Sequence, residues 1–376
     1  MKTPIYLDYN ATTPVDSRVL SAMLPYFTEK FGNSASRTHS YGWVADDAIN
    51  TARKQVASLI NCVDQEIVFT SGATEAINLA IKGVWENYQS KGKHIITVAT
   101  EHKAVLDTCS ALQKKGAEIT YLSVNKEGLI NLQELKAALR SDTILVAIMY
   151  ANNETGVIQS ISKIADIVHA NNNIFMCDAT QVIGKINIDV ANEHIDLMCL
   201  SAHKFYGPKG VGALYIRRRN PRVTVFPQID GGGHERGIRS GTLNVTGIVG
   251  LGKACEIAKQ EMEEDAGRIL KLKTKLEVEL CKLPNVYVNG SIQHRLFNTI
   301  NITFHGIPSE TLIKRIAPIA VAMGSACTSA IASPSHVLKA MGLNDEDIYS
   351  AIRFSLGKYT TAAEITEAIT TLQKII

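Results

Sequence analysis

From Ile67 to Tyr215 short apolar runs alternate with longer segments in which apolar residues recur every three or four positions. The runs EIVFTS, HIITVAT, TILVAIMYA, IFMCDAT, DLMCLSA and GALYIRR lack the polar alternation of a strand with one wet face, and fit strands covered on both faces. The segments TEAINLAIKGVWENYQ, AVLDTCSALQKKG and SISKIADIVHANN carry helical period. This alternation predicts an α/β fold with a doubly wound, mostly parallel sheet flanked by helices. In such a sheet the ligand lies off the carboxyl ends of the strands.

The Gly-rich stretch DGGGHERGIRSGTLN, from Asp230 to Asn244, breaks the pattern. The next segment, GIVGLGKACEIAKQEMEEDAGRILKLKTKLEVELCKL, reads as one or two long helices. The remainder mixes strands (NTINITF, AIRFSL) with helices starting near Ser335 and Ala362, which predicts a second, smaller α+β domain.

A chain of 376 residues is longer than one core usually serves, so a second domain is expected from length as well. A net charge of +3 gives no reason to expect nucleic acid or an anionic membrane as partner. No apolar run is long enough to span a bilayer, and MKTPIYLDYN has no apolar signal region, so a cytoplasmic location is expected. The cysteine count is odd, at seven, and none form a CxxC pair, which argues against a disulfide framework or a zinc site. Cys177 and Cys199 lie in apolar runs and read as core, whereas Cys255 and Cys281 fall in helical patterns. Cys327, in AMGSACTSA, has loop surroundings of small and hydroxyl residues: either a small apolar filler or a nucleophile on a loop. The histidines show no HExxH and no ligand spacing, so no metal is expected.

Candidate chemistry gathers at predicted strand ends. Gly72, Ala73 and Thr74 would offer backbone N–H groups and a hydroxyl at a helix N-terminus, which suits a phosphate; the plain alternative is a turn with Thr74 as cap. His203 and Lys204 follow a strand ending at Ser201, just before the tight YGPKG loop. Burial there would lower the amine's pKa and make it a better nucleophile toward an aldehyde, although most lysines are simply exposed. Asp178 ends another strand. A lysine amine with an Asp partner for a protonated ring nitrogen is the pattern of pyridoxal phosphate enzymes, while a helix N-cap is the plainer role for Asp178. His102, in TEHKAV, could stack on a flat cofactor.

These residues sit in segments that resemble the cysteine desulfurases of the NifS/IscS type, within the class-V aminotransferase fold of pyridoxal phosphate (PLP) enzymes. The resemblance runs nearly end to end, through YLDYNATTPVD, FGNSAS, TSGATEAIN, TEHKAV, NNETGVIQ, DATQ, SAHKFYGPKG, RSGTLN, GSACTS and IRFSLGKYT in order. It implies a seven-stranded, mostly parallel sheet in a large domain over residues 15–256, with 1–14 and 257–376 forming the small one. It implies that Lys204 forms the Schiff base with PLP, that Asp178 holds the pyridinium, that Gln181 bonds the phenolic oxygen and that His102 stacks on the ring. Ala73, Thr74, Ser201 and His203 would hold the phosphate, and Asn153 would contact cofactor or substrate. Thr242 would reach the phosphate of a partner subunit's cofactor, implying a homodimer. Arg353, helped by Asn33, would grip the carboxylate of L-cysteine, Lys204 or His102 would move protons, and Cys327 would take the sulfur as a persulfide, leaving alanine.

The sulfur would pass to an acceptor protein such as an iron–sulfur scaffold or a thiolation enzyme. Related sequences often have Ser-Gly just before GSACTS; here Ala322 and Met323 stand there, which would stiffen that hinge. The chain ends at Ile376 without the longer tail of some IscS-type members, which suggests a NifS-like member and puts scaffold docking by such a tail in question. A selenocysteine lyase or an aminotransferase of the same fold is the nearest rival reading, and Cys327 argues against the aminotransferase. A sulfur carrier or scaffold without catalysis is the rival of another class, and intact Lys204, Asp178, His102 and Arg353 argue against it.

Overall fold

The computed structural model describes residues 4–323 and 334–376; Cys327 and the rest of GSACTS lie outside the described residues. Seven strands form the main sheet in the order Ile67–Thr70, Gly212–Ile216, Leu197–Ser201, Ile174–Asp178, Thr143–Ala147, His94–Val98, Glu118–Leu122. Gly212–Ile216 runs antiparallel to both neighbours, and the other pairings are parallel. The six apolar runs are buried along their full length because cores lie on both faces. Side chains of a strand alternate faces, so the neighbours Val68 and Phe69 enter opposite cores, as do Cys199 and Met198.

Glu118–Leu122 has no apolar run to announce it. As an edge strand it is covered by one neighbour only, and its residues are mostly exposed or half-buried. The turn between Leu197–Ser201 and Gly212–Ile216 is too short for a crossover helix, so the chain folds back and the two strands pair antiparallel. That turn holds Lys204 against the sheet edge.

The long apolar-periodic segment is a single helix, Val245–Leu280, capped by Asn244, whose side chain accepts from the Gly247 N–H at 3.0 Å. Its first half, with Leu251 and Cys255, packs into the core of the main sheet. A Cβ at Gly252 would sit 2.6 Å from Ala52 Cα, so this half meets helix Ser40–Leu59 backbone to backbone. The second half, with Ile269 and Leu276, packs under Ile300, Ile352 and Phe354 in a separate core.

That core lies against a four-stranded antiparallel sheet in the order Ala322–Met323, Ala351–Ser355, Thr299–Phe304, Val286–Asn289. The start of the chain joins it: Ile5–Tyr6 pairs in parallel with Ile319–Ala320, and Leu7 is buried there. The helices expected near Ser335 and Ala362 are His336–Ala340 and Ala362–Ile375, each with a side-chain cap, from Ser335 and Thr361. Cys255 is buried in the long helix, and Cys281 is exposed at its C-cap. Among the described residues no helix is long and apolar enough to cross a membrane, and no group of three His, Cys, Asp or Glu side chains could hold a metal ion.

Candidate active site

Six sheet strands point one way, so their carboxyl ends share one edge. Ser71 and Gly72 leave Ile67–Thr70 there, His102 follows His94–Val98, Met149 follows Thr143–Ala147, Asp178 ends its own strand, and Lys204 follows Leu197–Ser201. All of them line one cavity of about 550 Å³, a size suited to a small-molecule cofactor with its substrate. Arg353 reaches the same cavity from the small sheet, where it stands opposite Asn301 and Ala322.

Lys204 is half-buried, and its Nζ donates to the carbonyls of Asn10 at 2.7 Å and Ala11 at 2.8 Å. Burial, and then the Arg353 cation, pull its amine down to about 8, a shift that Asp178 and Asp8 partly oppose. The neutral, nucleophilic form is therefore present at physiological pH. Next to it, His203 is held neutral: burial and then Lys204 bring it down to about 4, and its Nδ1 lies 3.1 Å from Thr12 Oγ1.

Asp178 is buried, and its Oδ1 accepts from both the backbone N–H and the hydroxyl of Thr180. Thr180 thus fixes the carboxylate plane at the cavity floor. Gln181 donates from Nε2 to the Asn10 carbonyl at 3.1 Å and also lines the cavity. His102 is the N-cap of helix Lys103–Gln113. Its Nδ1 accepts from the Ala104 N–H at 3.1 Å, so the ring proton resides on Nε2, and burial lowers its basicity.

On the opposite wall, helix Ala73–Tyr88 begins with Gly72 as N-cap and no side-chain cap. Thr74 is therefore not the cap but an exposed first-turn residue on the cavity wall. The first-turn N–H groups and the positive end of the helix dipole face the cavity, an arrangement that favours an anion. A Cβ at Gly212 would lie 2.7 Å from Gly72 Cα, so the close backbone approach needs glycine there, whereas at Gly72 it is the φ of +155 that favours glycine, since a Cβ would lie 3.7 Å from Ser201 Oγ. Ser201 is buried beside the turn.

Arg353 donates to Asp8 Oδ1 at 2.5 Å and to the Asn153 carbonyl at 2.9 Å, and its buried Nε has no partner. The guanidinium is thus held in place while N–H groups remain for a carboxylate. Asn33 and Thr242 are outside this cluster: both are exposed and neither lines the cavity. Asn33 Oδ1 accepts from Ala35 N–H at 2.9 Å. Thr242 lies in the Gly-rich loop, whose Arg239 pairs with Glu75 at 2.7 Å on the cavity wall.

Sequence reasoning missed three contributors. Asp8 and Asn10 come from the start of the chain and become site residues only because that segment is pinned to the small sheet. Glu101 is buried with Oε1 accepting from Met149 N–H at 2.6 Å and Oε2 unpartnered; burial keeps it protonated far above the ordinary carboxylate range. The one signal for it was a charged residue directly after an apolar strand run.

The family model for class-V aminotransferases matches residues 5–367. A cysteine desulfurase IscS of Haemophilus influenzae (strain PittGG) is 56% identical over 97% of this chain and 91% of the relative. A protein of the same name from Anaeromyxobacter sp. (strain Fw109-5) is 54% identical over 98% of this chain and 91% of the relative. Among solved structures, a NifS-like protein superposes with a TM-score of 0.93 at 40% identity, covering 99% of each chain. The structure described as SspA in complex with cysteine gives 0.83 at 36% identity, over 95% of this chain and 100% of that one.

Proposed function

The chain belongs to the class-V aminotransferase family and is a PLP-dependent cysteine desulfurase, and from that premise we propose how its residues divide the work. The observation that carries the proposal is the Lys204 amine, held at about 8 inside a cavity that also presents the Asp178 carboxylate and an uncapped helix N-terminus. That donor set fits PLP: an amine for the aldehyde, a carboxylate for the ring nitrogen and a cradle of N–H groups for the phosphate. Ala73, Thr74, Ser201 and His203 would hold the phosphate, Asp178 the ring nitrogen and Gln181 the phenolic oxygen, while His102 would stack on the ring and Asn153 would contact the substrate. Bound PLP supplies the electron sink that lets the substrate's α-proton leave.

Lys204 carries that proton away and later returns it, with His102 Nε2–H as the neighbouring donor. Arg353 takes the substrate carboxylate in a two-point grip, with Asn33 approaching from outside the cavity lining described above. The Cys327 thiolate attacks the substrate sulfur, an S–S bond forms as the carbon–sulfur bond breaks, and alanine is the product. The persulfide then passes to a sulfur-acceptor protein, a cluster scaffold or a thiolation enzyme. Residues 15–256 form the cofactor unit and 1–14 with 257–376 the unit that brings Arg353; the two packed halves of helix Val245–Leu280, in separate cores, support this division. A homodimer in which Thr242 serves the partner subunit's phosphate is supported by the exposed position of Thr242 and by exposed Phe27, Phe31 and Trp43.

Three outcomes test this. Incubation with L-cysteine should yield alanine matched by protein-bound persulfide; release of pyruvate instead would overturn the reading. Arg353→Ala should raise KM for L-cysteine by roughly ten- to a hundredfold, the worth of a charge-assisted grip, with Arg353→Lys in between because it keeps charge but loses the fork; an unchanged KM removes Arg353 from its role. PLP uptake by cofactor-free protein should accelerate with pH and level off just above 8, because Lys204 reacts as the neutral amine. A rise that continues to about 10.4, the ordinary lysine value, would show an unperturbed amine.

A further inference from the structure

Behind Lys204, on the side away from the main cavity, lies a second half-buried amine that the mechanism above leaves idle. Lys185 Nζ lies 3.3 Å from Gln181 Oε1 and 3.5 Å from Asn10 Oδ1 and forms no ion pair among the described residues. It lines a small cavity of about 30 Å³ together with Lys204, Met262 and Asp265. The titratable groups around it are Lys204 and Arg353 and, across that small cavity, Asp265, Tyr9 and Tyr206. Burial, then Lys204 and Arg353, bring Lys185 down to about 7. An amine held half out of water without a counter-ion is a poor filler, and an apolar side chain would pack there at less cost.

Its chemistry fixes what it touches. A lysine head donates and, when charged, cannot accept, so the carboxamide oxygens of both Gln181 and Asn10 must face it. Gln181 is then left with only N–H groups for the main cavity, one of them already on the Asn10 carbonyl that also accepts from Lys204. Asn10 in turn spends its amide N–H groups on the Asn153 carbonyl at 3.2 Å and Thr299 Oγ1 at 2.9 Å. The amine thereby reinforces orientations that the backbone carbonyls of Asn10 and Asn153 also favour, and Asn10 Oδ1 accepts from Asn298 Nδ2 at 3.3 Å as well.

We propose that Lys185 is a positioning residue which, by holding the oxygens of Gln181 and Asn10, commits Gln181 to present an N–H to the cofactor's phenolic oxygen. The inference rests on the PLP assignment and the role given to Gln181 above. Without Lys185 only the Asn10 carbonyl orients the Gln181 amide, so the flipped form that sets an oxygen against the phenolic oxygen is less disfavoured, and a nearby positive centre is lost. Both changes disfavour the deprotonated form of the bound cofactor.

The test is the pH titration of the visible absorbance of bound PLP in the purified holoenzyme. Lys185→Met should move the midpoint upward by roughly one pH unit, a tenfold gain in proton affinity. Lys185→Arg, which still donates to both amides, should restore most of it. With Gln181→Leu already in place, Lys185→Met should add clearly less than its full shift, because only the loss of positive charge remains. A midpoint unmoved in the Met variant, an Arg variant displaced as far as Met, or fully additive shifts in the double variant would each overturn the proposal. If the Met variant does not fold, Lys185→Leu, which also removes the donor, replaces it in the comparison with Lys185→Arg. A wild type that binds no PLP absorbing in the visible would overturn the functional reading and this inference with it. A normal wild-type spectrum with an unmoved Met variant overturns the inference alone.

Discussion

Lys204→Ala will lower alanine formation from L-cysteine by about four orders of magnitude or more. In the mechanism proposed above the residue serves twice, as the amine that receives PLP and as the carrier of the α-proton, and a positioned proton carrier alone is worth roughly 10²–10⁴-fold. The geometry explains why no neighbour substitutes. His203 is held neutral at about 4 and is tied to Thr12, and Lys185 faces away from the main cavity behind Gln181. PLP will still bind through Asp178 and the Gly72–Thr74 turn, but dialysis will remove it and borohydride will not fix it to the chain. Turnover within tenfold of the wild type would refute the assignment of Lys204.

The second large effect is expected at Cys327. Cys327→Ala will abolish protein-bound persulfide and cut alanine formation by at least about a hundredfold, because the substrate sulfur then lacks its nucleophile. PLP content and its absorbance will stay as in the wild type, which separates loss of the thiol from loss of fold. The other described cysteines offer no ready replacement. Burial pushes the thiols of Cys62, Cys177, Cys199, Cys109 and Cys255 far above the ordinary range, and Cys281 sits at the far end of the long helix. Alanine produced equally by both proteins would keep the desulfurase but take Cys327 out of it, in favour of a lyase-like route.

The apolar runs alone determined much of this protein. Runs such as IFMCD and DLMCLS, alternating with helical segments, fit strands covered on both faces, and in a parallel sheet residues at their carboxyl ends share one edge. Asp178, Lys204, His102 and the Gly72–Thr74 turn could therefore be assigned to one site before any contact was known. Those facts are local, written in the period of side chains over a few residues. Tertiary structure alone decided what depends on segments far apart in the chain. The edge strand Glu118–Leu122 is half wet and so carries no apolar run. Asp8 and Asn10 become partners of Arg353 and Lys204 only because Ile5–Tyr6 pairs with Ile319–Ala320. The same folding leaves Asn33 and Thr242 outside the cavity that their motifs pointed to. The low basicity of Lys204 and Lys185 is likewise a property of the assembled site: a lysine in a sequence is an ordinary amine until burial and neighbouring cations make its charge costly.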